Sequence, residues 1–187
     1  WQDYLARRDG QLRGLLKRKG KKFLAAGGSM EIVTDGMAAE SAIRDYCSVY
    51  AKSWKKPEPY PQFIPGLIRW LAAKGWLRLG IARLAGQPVA AQIWIVAHGK
   101  ASIFKLAYDE AFAPLAPGTL LTGHLMQHAI DADRVREVDY LIGDDPYKAD
   151  WMSHRRERWG IVAYNPRSAI GLALLLRETL GHYWSRL

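Results

Sequence analysis

Between Trp76 and Tyr108 the chain reads as three extended segments joined by two tight turns. Trp76–Leu84 alternates loosely through Leu77, Leu79 and Ile81, Val89–His98 is largely apolar, and Ala101–Tyr108 follows. The turns are Ala85-Gly86-Gln87-Pro88 and Gly99-Lys100. Connections this short join antiparallel neighbours, so the centre of the chain is a meander. A meander must bury a face against other elements, and the rest of the sequence supplies helices to cover it.

Residues 2–20 read as a basic helix ending near Gly20, with Leu5, Leu12, Leu15 and Leu16 at rough helical spacing. Met30–Thr34 reads as a strand between glycine-containing turns. Residues 38–52 carry Ile43, Tyr46, Cys47 and Tyr50 at i, i+3, i+4 and i+7, a second helix. Pro57-Glu58-Pro59-Tyr60-Pro61 cannot be regular helix, and helical character resumes over 62–74. Beyond the meander, a loop with Pro114 leads into a helix from Pro117 to about Ala132, and Val135–Ile142 is a strand. Strand, helix and strand make one crossover unit. Tyr147–Met152 reads as a short helical turn, Arg155–Tyr164 as a last strand and Pro166–Tyr183 as a final helix. The order predicts an α/β (α+β) fold, a mixed and mostly antiparallel sheet flanked by helices.

Charge divides the chain. It has 187 residues and a formal net charge of +9. Residues 1–22 hold eight bases against Asp3 and Asp9, so +6 of the excess lies there. Residues 131–150 run the other way, with seven acids against three bases. A basic N-terminal helix (1–22) followed by a single domain (23–187) is the expected organisation. The helix reads either as a solvated edge or as a contact for nucleic acid or another anion, tRNA included. Cys47 is the only cysteine, which excludes an intrachain disulfide and a Cys-based zinc site. The longest apolar runs, Pro88–Ala97 and Ala169–Leu176, fall far short of the roughly 20 residues that span a bilayer. No transmembrane segment, no signal peptide and a cytoplasmic location are expected. The start at Trp1 predicts that the chain is the C-terminal part of a longer protein.

Three stretches could carry chemistry. The first is Ala116-Pro117-Gly118-Thr119-Leu120 at a helix start. Free N–H groups and a partial positive charge there suit a phosphate, and Gly118 would let one approach closely. Plain helix capping explains the same residues. The second is Asp139-Tyr140-Leu141-Ile142-Gly143-Asp144-Asp145-Pro146-Tyr147-Lys148, which places two carboxylates, a phenol and an amine just after a strand end. A carboxylate there could take a proton from an amine or hold it. Asp144 and Asp145 read equally as turn residues before Pro146. The third is Ser53-Trp54-Lys55-Lys56 with Tyr60 close behind, an aromatic surface with cations or simply a packed Trp followed by solvated lysines. His124 and His128 are spaced i, i+4 but lack a third ligand at recognisable spacing, so no metal is expected. G-x-S-x-G, Walker A and G-x-G-x-x-G patterns are absent.

Taken together, these pieces resemble the GNAT acyltransferase superfamily. More narrowly they look like the branch shared by the CelD-type acetyltransferases of cellulose biosynthesis and the Fem-type (FemAB-like) aminoacyl transferases. The resemblance is carried by Ser53-Trp54-Lys55, by Lys105-Leu106-Ala107-Tyr108-Asp109 with Phe112 and Ala113, by Pro117-Gly118-Thr119-Leu120-Leu121, and by Asp139-Tyr140 with Gly143-Asp144-Asp145-Pro146-Tyr147-Lys148. It covers about residues 10–165.

The resemblance implies a sheet whose central strands splay, with the arm of an acyl-CoA donor in the gap. Lys105, Leu106 and Ala107 would lie along the donor, and Pro117, Gly118, Thr119 and Leu120 would receive its pyrophosphate. An amine would attack the thioester directly. Asp144 or Asp145 would handle its proton or orient it, and Tyr147 would protonate the leaving thiolate. Trp54, Lys55, Tyr108 and Lys148 would meet the acceptor. The implied activity is N-acyl transfer from acetyl-CoA or another acyl-CoA, without a metal, to an amine of a small metabolite or of a cell-envelope or polysaccharide precursor. One departure stands out. The family's Q/R-x-x-G-x-G/A pyrophosphate loop is replaced by Ala116-Pro117-Gly118-Thr119, which offers fewer N–H groups. That admits an aminoacyl-tRNA as donor, or a non-catalytic binding module of a polysaccharide synthesis system.

Overall fold

A computed structural model describes residues 1–157 and 159–184. Contacts divide the chain into a unit from Trp1 to Met152 and a second from Ser153 onward. The first holds helices α1 (Gln2–Ala6), α2 (Gly10–Ala25), α3 (Gly36–Ala51), α4 (Phe63–Ala73), α5 (Pro117–Asp131) and α6 (Tyr147–Trp151). Its strands are β1 (Gly28–Val33), β2 (Leu77–Leu84), β3 (Gln87–Ala97), β4 (Lys100–Tyr108) and β5 (Glu137–Asp139). The five strands lie side by side in chain order. The first four are antiparallel and β5 runs parallel to β4. This is the mixed, mostly antiparallel sheet that the alternation of the meander implies.

Side-chain alternation sends the sheet's apolar residues into two cores. Leu77, Leu79, Ile81 and Ile93 pack with Ile43, Tyr46 and Val49 of α3 and Ile64, Ile68 and Leu71 of α4. Ala82, Ala90, Trp94 and Ile103 pack with Leu12 and Phe23 of α2 and Leu121, Leu125 and Met126 of α5. Gly80 allows α5 to come close: a Cβ there would lie 2.7 Å from Leu125 Cδ1.

The first helix differs from expectation. It is broken into α1 and α2 because the Asp9 carboxylate accepts the Gln11 N–H (2.6 Å) and starts a new helix. α2 then runs past Gly20 to Ala25, since Phe23 is fully buried and tertiary packing outweighs the glycine's weak helix propensity. It is therefore a core helix with one solvent face. The strand expected over 135–142 shortens to Glu137–Asp139.

The second unit contains α7 (Ala169–Trp184). No strand forms among the described residues of 155–164. Trp159, Ile161 and Val162 are exposed there, and an extended segment without a partner has no ladder to satisfy its backbone.

Candidate active site

β4 and β5 pair over three residues only: Lys100 with Glu137, Ala101 with Val138 and Ser102 with Asp139. Beyond Ser102 no pairing continues, and the two strands bound a wedge. Lys100 pins its closed end, with Nζ 2.7 Å from Asp139 Oδ2 and 3.2 Å from Glu137 Oε1. Asp139 Oδ1 also accepts the Leu141 N–H at 2.7 Å, so this carboxylate is structural. Leu141 and Gly143 then adopt φ of +60° and +101°, which turn the chain out of the strand direction.

A β-bulge shapes the other side. Ile93 lies opposite Lys105 and Trp94 opposite Ile103, which leaves Phe104 without a partner and bends β4. The Asp109 N–H donates to Val89 O at 2.9 Å. Alternation along an antiparallel pair then commits the backbone of Ala107 and Lys105 to β3 and turns that of Leu106 and Tyr108 to the outer edge. β5 does not reach that far, so the edge is open to the polar groups of a ligand.

The wedge encloses a cavity of about 330 Å³. Ile103 to Leu106 form one wall and Tyr140 to Ile142 the other. Asp145, Tyr147 and Lys148 enter from the start of α6, and Lys55 from the loop after α3. Lys148 acts as a clasp: its Nζ donates to Ile142 O (2.8 Å) and Gly143 O (3.2 Å) and pairs with Asp145 Oδ2 (2.9 Å). The Lys148 hydrogen bond and charge hold the Asp145 carboxyl below its ordinary value. A carboxylate so stabilised is a poor base but a good partner for an ammonium group. Burial, then the Asp145 charge, pushes the Tyr147 hydroxyl up, so it keeps its proton. The Tyr147 ring meets Tyr140 edge-on at 5.8 Å. Tyr140 is buried, its hydroxyl finds no hydrogen-bond partner of good geometry, and burial raises it well above the usual tyrosine value.

A second charged group backs the β4 wall. Lys105 pairs with Glu58 and its ammonium lies 5.6 Å from the centre of the Tyr50 ring. Burial alone would raise the Glu58 carboxyl, but hydrogen bonding by Lys105 and Tyr50 outweighs it and holds the group low. Burial, then Glu58, pushes the Tyr50 hydroxyl up to about 12, and that hydroxyl reaches Lys56 O at 3.0 Å.

The start of α5 is the remaining part. Pro117 has no N–H, and Leu120 N–H bonds to Ala116 O (3.1 Å). Gly118 and Thr119 are thus the two amides ahead of the helical ladder. Buried Gln92 on β3 holds this turn in place. Its Nε2 donates to Gly118 O and Thr122 Oγ1, both at 2.8 Å, while its Oε1 accepts Trp94 Nε1–H at 3.0 Å. A Cβ on Gly118 would come within 3.0 Å of Tyr108 Cδ1, and Tyr108 packs on Trp54 with ring centres 4.7 Å apart.

Of the residues singled out from sequence, Lys55, Lys105, Leu106, Asp145, Tyr147 and Lys148 come together around the cavity. Trp54, Tyr108 and Gly118 form a contiguous stack that joins the α3–α4 loop to the start of α5. Pro117 is buried and Thr119 half-buried at that start. Asp144 is exposed and does not line the cavity. The Ala107 side chain belongs to the α3–α4 core, and the Leu120 side chain to the α5 core. Tyr140 stood in the second candidate stretch without a role of its own, and Gln92, Glu58 and Tyr50 were given no site role. Gln92 had left a signal as the lone polar residue in the run Pro88–Ala97. Among the described residues no group of three or more His, Cys, Asp or Glu is placed to hold a metal ion.

This splayed sheet, with a cavity in its fork and a helix start beside it, defines an acyltransferase class of fold. Residues 10–149 match the family model described as Acetyltransferase (GNAT) domain, and the chain belongs to that family. Two solved structures agree on the fold. An aminoglycoside acetyltransferase from an uncultured soil metagenomic sample superposes with TM-score 0.51 at 12% identity, over 73% of this chain and 95% of that one. A ribosomal-protein-alanine N-acetyltransferase from Brucella melitensis biovar Abortus 2308 gives TM-score 0.51 at 9% identity, over 74% and 99%. An N-acetyltransferase from Escherichia coli is matched over 55% of this chain and 59% of its own length, at 14% identity and TM-score 0.42. No curated protein matches the chain by sequence. GNAT acetyltransferases use acetyl-CoA, and this chain is an N-acetyltransferase by family. Among the described residues, no helix is long and apolar enough to cross a membrane.

Proposed function

We propose that the protein transfers an acetyl or other acyl group from acyl-CoA to the amine of a small metabolite or of a cell-envelope or polysaccharide precursor in the cytoplasm, as in the CelD-type and Fem-like branch. The observation that carries this reading is the fork between β4 and β5, where an open strand edge faces Asp145 and Tyr147 across one cavity. The outward backbone of Leu106 and Tyr108 bonds the donor's amide arm, and the amides of Gly118 and Thr119 take its pyrophosphate. Two amides are a small set, and a short loop of this kind suits a donor whose main grip is the strand edge.

In the reaction the amine lone pair forms the new N–C bond at the thioester carbonyl, and the C–S bond then breaks. Strand N–H groups at the bulge stabilise the developing oxyanion, an effect worth about 3–4 kcal/mol for one well-placed donor. Asp145 holds and orients the incoming ammonium group, whose proton leaves to solvent before attack. Tyr147, kept protonated, gives its proton to the departing sulfur and is reprotonated by the proton that the nitrogen sheds as the amide forms. Acetyl-CoA should raise the melting temperature, as a native-state ligand does, and support CoA release with an amine acceptor. No thermal shift with any of a panel of acyl-CoAs would overturn the reading.

One observation favours a second reading. The solvent face of α2 carries Arg13, Lys17, Arg18, Lys21 and Lys22, and none of them forms an ion pair among the described residues. An aminoacyl-tRNA donor would meet its phosphates there. Salt-sensitive tRNA binding without any acyl-CoA response would favour it. A response to neither would point to a non-catalytic module.

A further inference from the structure

Three lysines line the cavity, and two are already satisfied. Lys105 pairs with Glu58, and Lys148 pairs with Asp145. Lys55 has no carboxylate partner among the described residues; its ammonium lies 5.4 Å from the centre of the Trp54 ring. We propose that Lys55 and Asp145 together bind a zwitterion, so that the acceptor is an amino acid or a metabolite bearing a carboxylate close to its reacting amine.

Charge placement in the cavity supports this assignment, which rests on the acetyltransferase reading above. Lys55 and Asp145 face the same cavity of about 330 Å³ from different elements, and each feels the other's charge without forming an ion pair. A cation and a carboxylate held apart in one small space match a ligand whose own two charges are close together. Burial, then the neighbouring Lys105, lowers the Lys55 ammonium from its ordinary value, the signature of a cation short of a counter-charge. A ligand carboxylate would supply it. Asp145 would take the ammonium end and place the nitrogen, once deprotonated, beside the thioester. The cavity that Lys55 and Asp145 line includes no residue of the α5 start where the donor phosphates are placed, so the carboxylate is assigned to the acceptor. A carboxylate on the donor's acyl group has the same chemistry and is separated by the test.

The test uses the whole chain and two readouts. The first is CoA release from acetyl-CoA with a panel of L-amino acids and their carboxamides. The expected result is a kcat/KM roughly 10- to 100-fold higher for the acids, the size of one charge-assisted hydrogen bond. In Lys55→Gln that preference should vanish through KM, while the acetyl-CoA thermal shift stays. The second is NMR of ¹³C-methylated lysines, which needs no turnover. L-Alanine should move the Lys55 signal and L-alaninamide should not. Equal use of acids and amides, retention of the preference in Lys55→Gln, or an unmoved Lys55 signal would each overturn the proposal. A Lys55-dependent preference for succinyl-CoA over acetyl-CoA with one fixed amine would move the carboxylate to the donor and overturn the acceptor assignment. Failure of acetyl-CoA to bind counts against the acetyltransferase reading alone, because the NMR arm still reads the zwitterion site.

Discussion

At the scale of single residues, the site separates groups of the same chemical type by their surroundings. Asp139 is locked by Lys100 and the Leu141 amide, Asp145 pairs with Lys148 at the cavity wall, and Asp144 is exposed. Only Asp145 both lines the cavity and carries a charge available to an amine. Asp145→Asn should abolish most turnover while leaving the acetyl-CoA thermal shift nearly unchanged; a lost shift would show that this residue belongs to the donor side. Tyr147→Phe removes the proposed acid and should lower kcat by about 10²-fold with little change in donor affinity. Glu58 gives a stability prediction. Its folded value lies below the ordinary 4.5, so its contribution is present above that pH and is lost as pH falls through the folded value. Glu58→Gln should therefore flatten the acid limb of thermal stability below about pH 4.5, and an unchanged limb would dismiss the Lys105 pairing.

At the scale of elements, what could be read from sequence depended on how local the cause was. The meander was legible because turn residues and alternation lie within a few positions of each other. The helix from Pro117 was legible for the same reason. The bulge at Phe104 was not, because it depends on register against β3. Nor was the Lys105–Glu58 pair, which joins residues 47 positions apart. The break at Asp9 was written in a good capping residue, but the continuation through Gly20 was decided by Phe23 and its distant partners. The Gln92 network makes the start of α5 testable. Gln92→Leu strands the Trp94 Nε1–H and removes both bonds to the first turn, with an expected loss of about 1–3 kcal/mol in denaturant titration. It should also weaken donor binding, since the Gly118 and Thr119 amides lose their anchor. Gly118→Ala should crowd Tyr108 and raise the donor KM more than it lowers stability. A donor KM unchanged in both variants would separate this helix start from the donor.

At the scale of the whole molecule, the formal charge of +9 is unevenly placed: +6 on residues 1–22, −4 over residues 131–150 and +7 over the rest. On α2, Arg13, Lys17 and Lys21 repeat at i, i+4, as do Arg18 and Lys22, and each like-charge pair costs a few tenths of a kcal/mol. Lys17→Glu should therefore raise the melting temperature slightly and reduce salt-dependent retention on heparin, without touching CoA release. A fall in CoA release would tie α2 to catalysis. In the proposed reaction the donor arm, the amine and the acid all meet in the sheet's fork. An acetyl-CoA titration followed by backbone amide NMR reads it directly. Shifts should concentrate at Ile103–Tyr108, at Gly118 and Thr119, and at Tyr140–Ile142. Saturable shifts confined to other elements, or none at millimolar acetyl-CoA, would contradict it.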